Sequence, residues 1–188
     1  MLDVLKTHET INARGTFAPL SAMELSQIDA NRAHLEEVGL QAIREGKVAA
    51  VLLAGGQGTR LGFDKPKGMY NIGVTRELYI FECLINNVME VVKKAGAWIR
   101  FYIMTSDKNY DDTTAFLKEK NYFGYNAEYI HFFKQEMAPS VDYNGKLLME
   151  APDRLSLSPN GNGGWFSSLC RYGYDKQICL LYTSDAAD

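Results

Sequence analysis

The feature that most constrains this chain is an apolar run at residues 48–53 that passes directly into a glycine-rich loop at residues 54–62. An uninterrupted apolar run bounded by glycine is typical of a strand that is buried on both faces. Glycines in the loop let the backbone approach a ligand closely and adopt dihedral angles that a side chain would forbid. Consecutive exposed N–H groups then form a binding site for an anion. The glycines concerned are Gly55, Gly56, Gly58 and Gly62.

Two basic residues give this loop the chemistry of a phosphate site. Arg60 carries a planar guanidinium that suits phosphate oxygens, and Lys67 carries a mobile point charge. A Walker loop is excluded because Lys67 is followed by Gly68 and not by Ser or Thr. A dinucleotide fingerprint is excluded because Gly62 lies four residues after Gly58, where three are required. We predict a nucleoside triphosphate site, and the alternative is an ordinary glycine-rich turn between a strand and a helix.

A helical segment is predicted before the first strand. Ser21 and Glu24 are spaced as a capping box at its start. Gly46 stands where a helix C-cap is expected. Between them, apolar residues recur on one helical face, and these are Leu35, Val38, Ala42 and Ile43.

Beyond the loop, helices and strands alternate along the chain. This alternation predicts a parallel sheet with crossover helices. Ligands bind such sheets at the carboxyl ends of the strands, where Gly55 falls. The predicted elements are a long amphipathic helix from residue 78 that ends near Gly96, a strand at 99–104, a shorter helix around Phe116 and Leu117, and a strand at 129–133.

Aromatic residues in this region are predicted to pack in the core. His131 lies in an aromatic strand, which favours packing over catalysis. Core positions are also predicted for Tyr122, Phe123 and Tyr125.

The glycine loop resembles the nucleotidyltransferase signature of the eukaryotic-type UDP-sugar pyrophosphorylases, and further similar stretches follow in the family's order. The resemblance runs from about residue 25 to about residue 174. It implies an α/β fold with a Rossmann-like nucleotide-diphospho-sugar transferase core, in which helices flank a mostly parallel or mixed sheet. The matching stretches are residues 102–106 (YIMTS), 122–124 (YFG), 132–135 (FFKQ) and 158–164 (SPNGNGG).

The resemblance implies a uridylyltransferase reaction, in which an oxygen of a sugar 1-phosphate attacks the α-phosphorus of UTP and pyrophosphate leaves. Such transfers depend on positioning and charge neutralisation. Arg60 would grip the departing pyrophosphate, and Lys67 would stabilise the α-phosphate as charge shifts. The resemblance also implies Mg²⁺ as cofactor and N-acetylglucosamine 1-phosphate as acceptor. Glucose 1-phosphate, or a broad range of sugar phosphates, is the alternative acceptor.

The same resemblance implies a pocket for the nucleotide. Gln135 would recognise uracil, because its amide can donate and accept hydrogen bonds at once. Backbone groups at Ala54, Gly55 and Gly161 would complete the base pocket, and Asn162 would bind a sugar hydroxyl. The remaining nucleotide-binding residues implied are Gly56, Gly58 and Thr59.

Departures from the family pattern predict an incomplete domain. Glu136 stands where the family has glycine, which would narrow or reshape the base pocket. The aspartate that holds magnesium in the family has no counterpart, so it is expected beyond residue 188, and the chain is expected to be an N-terminal fragment that is inactive alone. The predicted organisation is a helical segment at residues 1–46, a partial nucleotidyltransferase domain at 47–177 and a non-native tail at 178–188.

Composition limits the functions that remain. With 188 residues, of which 46% are hydrophobic, the chain can bury the core of one α/β domain, and a net charge of −3 gives no electrostatic case for binding nucleic acid or a membrane surface. Three cysteines without paired metal spacing favour reduced thiols, and no long apolar run or signal peptide is found, so we expect a cytoplasmic protein. UTP and a sugar 1-phosphate are the expected partners. The alternative to an enzyme is a module that binds UTP without turning it over.

Overall fold

The structure, a computed structural model, describes residues 18–160 and 162–179. It combines a helical segment, a three-stranded parallel sheet flanked by helices, and an antiparallel arm. The helices are α1 (Leu25–Ala30), α2 (Arg32–Arg44), α3 (Ile80–Ala95), α4 (Tyr110–Glu119), α5 (Trp165–Arg171) and α6 (Asp175–Cys179). The strands are β1 (Ala49–Leu53), β2 (Arg100–Thr105), β3 (Ile130–Lys134), β4 (Met137–Pro139), β5 (Met149–Ala151), β6 (Arg154–Leu155) and β7 (Leu157–Pro159).

Helices α1 and α2 lie within the helical segment predicted for residues 1–46, of which residues 1–17 are outside the described residues, and the start of the first helix differs from the prediction. Because α1 begins at Leu25, Glu24 is itself the N-cap residue, and its N–H donates a hydrogen bond to Oε1 of Gln27 at 2.9 Å. The capping box predicted with Ser21 as the cap is therefore wrong. The other end agrees with the prediction, since Gly46 follows α2 with a φ of +71°.

The predicted apolar face of α2 packs against the core at one end only. Ile43 is 8% exposed, whereas Leu35 and Val38 are 42% and 54% exposed. Nε of Arg44 donates a hydrogen bond to the carbonyl oxygen of Ala95 at 3.1 Å. This bond ties the C-terminal end of α2 to the C-terminal end of α3.

Strands β1, β2 and β3 form a parallel sheet in the order β1-β2-β3. Helix α3 connects β1 to β2, and α4 connects β2 to β3, which confirms the predicted alternation. Strand β2 is buried along most of its length, whereas β1 is half-buried and its last residue, Leu53, is 41% exposed. As predicted, both faces of β1 pack against a core, with Ala50 and Leu52 on one face and Ala49 and Val51 on the other, but these side chains are only half-buried.

Side chains along β2 alternate between two cores, one on each face of the sheet. Phe101 and Ile103 belong to the core that includes α3 and α4. Tyr102 and Met104 belong to a second core, which includes Leu169 of α5. The sheet is therefore covered by helices on both faces, as expected of a nucleotidyltransferase core.

Helix α3 supplies most of the larger core. Its apolar side chains Phe81, Ile85, Val92 and Ala95 are buried along one face. Gly96 ends the helix in the left-handed region, with a φ of +69°, and donates its N–H to the carbonyl oxygen of Val92 at 2.9 Å. The predicted amphipathic helix and its end are confirmed.

A left-handed turn follows α4. Asn121, Tyr122 and Phe123 have φ angles of +47°, +50° and +51°, a conformation that is unfavourable for residues with side chains. Two contacts beside the turn hold it in place. The ring centroid of Phe123 lies 6.0 Å from that of Phe116, and the hydroxyl of Tyr125 donates a hydrogen bond to a backbone carbonyl just before β2 at 2.6 Å. Burial raises the pKa of Tyr125 to about 12. Tyr122, Phe123 and Tyr125 all pack in the larger core, as predicted.

His131 also has the packing role predicted for it. Its ring stacks on that of Tyr102, with centroids 5.0 Å apart and an interplanar angle of 26°. Burial lowers the pKa of His131, and the positive charge of Arg100 lowers it further.

The segment between β3 and α5 forms an antiparallel arm. Strand β4 pairs with β7, and β5 pairs with β6. The N–H of Asn160 donates a hydrogen bond to the carbonyl oxygen of Glu136 at 3.1 Å, so the two ends of the arm lie side by side. The predicted tail boundary at residue 178 falls within α6, where Ile178 packs against the second core, and residues 180–188 lie outside the described residues.

Candidate functional site

The candidate site lies at the carboxyl edge of the parallel sheet, where three strands end side by side. Ala54 follows β1, and its N–H donates to the carbonyl oxygen of Met104 at 2.8 Å. Gln135 follows β3, and its N–H donates to the carbonyl oxygen of Thr105 at 2.7 Å. These bonds continue the ladders of the sheet beyond its strands. The predicted residues Ala54, Gly55 and Gln135 are therefore held by the sheet itself.

Gln135 is a buried polar side chain with an unsatisfied donor. It is 8% exposed, and its Nε2 atom has no hydrogen-bond partner among the described residues. Its amide lies against Gly55: a Cβ on Gly55 would be 2.8 Å from Cδ and 3.0 Å from Oε1 of Gln135. An unsatisfied buried amide is costly, so its persistence at the sheet edge indicates a partner that the chain does not supply.

The glycine loop exposes a run of backbone donors. The N–H groups of Gly55, Gly56 and Gln57 have no acceptor within the part of the chain that the structure describes. The loop is closed on its other side, since the N–H of Gly58 donates to the carbonyl oxygen of Lys65 at 3.0 Å and the N–H of Lys67 donates to that of Gly56 at 3.3 Å. Three consecutive unpaired N–H groups are suited to bind phosphate oxygens.

The surroundings of the loop glycines differ from one glycine to the next. Gly58 has no room for a side chain, because a Cβ there would lie 2.8 Å from the ring of Phe63 and 3.0 Å from the carbonyl oxygen of Lys65. Gly62 alone has a left-handed φ, of +65°. Gly56 has no atom within 4 Å of a built Cβ, so the space beside it is open. The expectation of unusual dihedral angles throughout the loop is thus correct for Gly62 only.

Lys67 begins a short 3₁₀ turn, Lys67–Met69, beside the glycine loop. Pro66 before it is buried, and Gly68 after it packs so closely on the ring of Phe81 that no Cβ fits. The side chain of Lys67 is exposed and makes no ion pair with any described residue. Its ammonium group is therefore available to a ligand at the loop.

The remaining predicted residues are placed only in part. Thr59 is exposed in the 3₁₀ turn Thr59–Leu61, which also contains Arg60, whose side chain lies outside the described residues. Gly161 lies outside them as well, and Asn162 is described for its backbone alone, at the start of the 3₁₀ turn Asn162–Gly164. That turn leads into α5, whose Ser168 Oγ accepts a hydrogen bond from the N–H of Glu136 at 3.2 Å. Asn162 thus belongs to a segment anchored next to Gln135.

Glu136 directs its carboxylate to α5. Oε1 of Glu136 lies 3.0 Å from Nη2 of Arg171, in an ion pair in which the Glu136 side chain is 23% exposed. Next to Gln135 on its other side, Nζ of Lys134 lies 3.1 Å from Oδ1 of Asp107 and 4.8 Å from the ring centroid of Tyr110. The hydrogen bond to Asp107 raises the pKa of Lys134. Both charged neighbours of Gln135 are therefore paired.

One residue of the site escaped the sequence reasoning. Asn109, just before α4, is fully buried, and its Nδ2 donates a hydrogen bond to the carbonyl oxygen of Ala54 at 3.0 Å and lies 3.5 Å from that of Gly56. Its Oδ1 accepts from the N–H of Ser106 at 2.7 Å. In sequence, an asparagine before a helix predicts an N-cap, and nothing in its spacing from the glycine loop indicates a contact.

The described residues do not fit a magnesium site by themselves. No group of three or more His, Cys, Asp or Glu side chains converges anywhere in residues 18–160 and 162–179. Divalent magnesium is held by carboxylates together with substrate phosphates, and these residues supply no group of three such side chains that would hold it without a substrate.

The chain is similar to known proteins over most of its length. Residues 7–179 match the family described as UTP--glucose-1-phosphate uridylyltransferase. The chain is 44% identical to the UDP-N-acetylglucosamine pyrophosphorylase of Saccharomyces cerevisiae over 136 residues, which cover 70% of this chain and 28% of the yeast protein.

Two crystal structures resemble the fold closely. A candidate UDP-N-acetylglucosamine pyrophosphorylase from Entamoeba histolytica superposes with a TM-score of 0.79 at 33% identity, over 88% of this chain and 43% of that one. The UDP-N-acetylglucosamine pyrophosphorylase of Trypanosoma brucei, in complex with an inhibitor, superposes with a TM-score of 0.66 at 35% identity. The superposition covers 78% of this chain and 30% of the trypanosomal one. The chain thus spans between 28% and 43% of the length of these three relatives. From the family match over nearly its whole length, this chain belongs to the UTP--glucose-1-phosphate uridylyltransferase family.

Proposed function

We propose that this chain provides the UTP-binding part of a uridylyltransferase that transfers UMP from UTP to a sugar 1-phosphate and releases pyrophosphate. The observation that carries the proposal is the buried, unpartnered Nε2 of Gln135 against Gly55, next to a loop with three unpaired N–H groups. A base edge and a chain of phosphates both belong to a nucleotide. The sheet edge offers a polar partner for each of them.

Uracil fits the polar groups beside Gln135. Its N3–H can donate to Oε1, and a carbonyl oxygen of the ring can accept from Nε2. Because Gly55 has no side chain, the amide of Gln135 can lie against the backbone there.

The phosphates of UTP would lie over the glycine loop. In the proposed reaction, an oxygen of the sugar 1-phosphate forms a bond to the α-phosphorus, the bond from that phosphorus to the bridging oxygen breaks, and pyrophosphate leaves with the bond's electrons. The exposed ammonium of Lys67 would stabilise the charge on the α-phosphate, and Arg60 would bind the leaving pyrophosphate. Neither residue forms a covalent bond with the substrate.

N-acetylglucosamine 1-phosphate is the proposed acceptor. The support comes from the names of the relatives at 44%, 33% and 35% identity, all described as UDP-N-acetylglucosamine pyrophosphorylases or candidates for that activity. The family as a whole is described by glucose 1-phosphate, which therefore stays the alternative acceptor. Asn162 is the residue proposed to bind a sugar hydroxyl.

Further parts of the proposal follow from the substrates. Mg²⁺ would accompany UTP and lower the negative charge of its phosphates. Within the described ranges, no helix is both long and apolar enough to cross a bilayer. A cytoplasmic location remains part of the proposal and is supported by the composition.

A module that binds UTP without catalysis is the second candidate function. The observation that favours it is that the amide of Gln135 and the unpaired N–H groups of the loop can bind a nucleotide without taking part in a chemical step. A binding module needs Gln135 and the glycine loop but has no need of Lys67. The two functions therefore differ in what a mutation of Lys67 changes.

Calorimetric titration of the chain with UTP and Mg²⁺ tests the nucleotide site. We expect UTP to bind more tightly than CTP, because cytosine presents an acceptor at N3 and an amino group where uracil has a carbonyl. Equal affinity for the two nucleotides would contradict uracil recognition, and the absence of binding to either would remove the proposed site.

A chimaera tests catalysis. This chain would replace the segment that it matches in the yeast relative, and release of pyrophosphate from UTP would be measured with N-acetylglucosamine 1-phosphate or glucose 1-phosphate. Turnover with the first sugar and not the second is expected, with the unmodified yeast protein as the control. A chimaera that folds and binds UTP but releases no pyrophosphate would favour the binding module.

A further inference from the structure

Asn109 connects the glycine loop to the centre of the sheet. It precedes α4 as the N-cap residue, yet its side chain makes no capping hydrogen bond to that helix. Asparagine at this position ordinarily accepts a bond from the first turn of its own helix. Here both polar atoms bond outside the helix. Oδ1 accepts a hydrogen bond from the N–H of Ser106 at 2.7 Å, and Nδ2 donates one to the carbonyl oxygen of Ala54 at 3.0 Å. The side chain thus links the end of β2 to the end of β1.

The contacts of Asn109 determine the direction in which N–H groups of the glycine loop point. A trans peptide unit is planar and points its C=O and N–H in opposite directions. The C=O of Ala54 shares a peptide unit with the N–H of Gly55, and the C=O of Gly56 shares one with the N–H of Gln57. Nδ2 of Asn109 lies 3.0 Å from the first carbonyl oxygen and 3.5 Å from the second. By drawing both carbonyls inward, Asn109 turns two unpaired N–H groups outward.

The backbone of Lys67 bonds to one of the carbonyl groups that Asn109 contacts. Its N–H donates to the carbonyl oxygen of Gly56 at 3.3 Å, so Lys67 and Asn109 share one acceptor. A second attachment from α4 lies nearby, where Oδ1 of Asp112 is 3.1 Å from Nζ of Lys65. That ion pair is half-exposed and contributes little by itself. The buried amide of Asn109 is the stronger of the two attachments.

We propose that Asn109 is a positioning residue for the nucleotide site: it orients the N–H groups of Gly55 and Gln57 toward the phosphates and fixes the backbone at Lys67. This inference rests on the proposed function, because it assigns a role within the same site. Asn109 does not touch the nucleotide. Its effect on UTP passes through the carbonyl groups of Ala54 and Gly56.

The test compares Asn109→Asp with the parent chain. The aspartate has the same shape and keeps the acceptor for the N–H of Ser106, but it presents an oxygen to two carbonyl oxygens that need a donor. We expect the affinity for UTP, measured by calorimetry, to fall by about tenfold or more. Asn109→Leu, which has a similar volume and no charge, should give a loss in the same direction.

Asn126→Asp is the matched control. Oδ1 of Asn126 accepts a hydrogen bond from the N–H of Glu128 at 3.0 Å, at the opposite end of β3 from Gln135, so the same substitution keeps its one bond. Thermal unfolding and amide exchange in β2 would be measured for all variants, which separates a local effect from loss of the fold. Asn126→Asp should bind UTP as the parent does.

Amide signals of the ligand-free chain distinguish failure of this inference from failure of the proposed function. In Asn109→Asp, we expect the NMR signals of the N–H groups of Gly55 and Gln57 to shift, while those of β2 stay unchanged. Unchanged loop signals, or unchanged UTP affinity in a folded Asn109 variant, would overturn the positioning role. Shifted loop signals in a chain whose parent binds no UTP would support the contact with the loop and overturn the proposed function.

Discussion

The amide of Gln135 lies against the backbone of Gly55 at the carboxyl edge of the sheet, so close that a Cβ on Gly55 would lie 2.8 Å from Cδ of the glutamine. The contact joins the loop after β1 to the end of β3, across the strand that lies between them. Its geometry explains why the first loop glycine has no side chain and why the glutamine amide stays at the edge of the sheet.

Replacing Gly55 with alanine is expected to displace Gln135. The new methyl group would overlap the amide, and relief of that overlap should cost about 1–3 kcal/mol in the free energy of unfolding. UTP affinity should fall with it, because the amide leaves the position that we propose for uracil. Chemical denaturation and calorimetric titration measure the two effects.

Gly56→Ala is the matched control for this substitution. No atom lies within 4 Å of a Cβ built on Gly56, so the free energy of unfolding should stay at the parent value or rise slightly. A loss of stability equal to that of Gly55→Ala would contradict the steric explanation. A selective loss of UTP affinity would instead show that the ligand occupies the open space beside Gly56.

Gln135→Met is expected to stabilise the ligand-free chain and to abolish selective UTP binding. Methionine has a similar length and shape but no buried donor, so the cost of an unsatisfied Nε2, about 1 kcal/mol or more, is removed. Discrimination between UTP and CTP should disappear, since no hydrogen bond to the base edge remains. A variant that is less stable than the parent would contradict this prediction. It would indicate that the amide of Gln135 has a hydrogen-bond partner in the ligand-free chain.

Much of the fold follows from the sequence because local patterns determine it. The alternation of apolar runs and helical periods predicts β1, α3, β2, α4 and β3 in order, and glycine at the end of α3 predicts where that helix stops. The contact between Gly55 and Gln135 could be expected only from the family resemblance. No periodicity relates two residues that far apart.

What the sequence could not predict depends on tertiary contacts. The half-exposed state of β1 results from its edge position in the described sheet, which its apolar composition does not encode. The left-handed turn at Asn121, Tyr122 and Phe123 is held by aromatic packing and by the hydroxyl of Tyr125, against the local preference of the two aromatic residues. Asn109 was missed for the same reason, since its partners are two carbonyl groups on a different strand end.

Stability is expected to depend on the protonation of His131. Burial against Tyr102 and the charge of Arg100 lower its pKa in the folded chain, while the unfolded chain has the ordinary value near 6.5. The unfolded state therefore binds the proton more readily, so the contribution of His131 is fully present above about pH 7 and is lost as the pH falls through 6.5 and below.

Urea unfolding at a series of pH values measures this dependence, and NMR titration of the imidazole gives its pKa directly. His131→Phe should flatten the slope between neutral and mildly acidic pH, because phenylalanine keeps the stacking without the titration. A pKa of His131 at or above the ordinary value would contradict the prediction.

Lys67→Ala separates catalysis from binding, and it is expected to lower turnover of the chimaera with the yeast relative by about 100-fold or more. The reason is that an ammonium placed at the α-phosphate stabilises charge that develops in the transition state, whereas the backbone donors of the loop already bind the ground state. UTP affinity should therefore change far less than turnover. Lys93→Ala, which removes the same charge from the exposed face of α3, is the control and should retain parental turnover. Turnover close to the parent value in Lys67→Ala would remove this lysine from the mechanism and leave it a residue of the binding site.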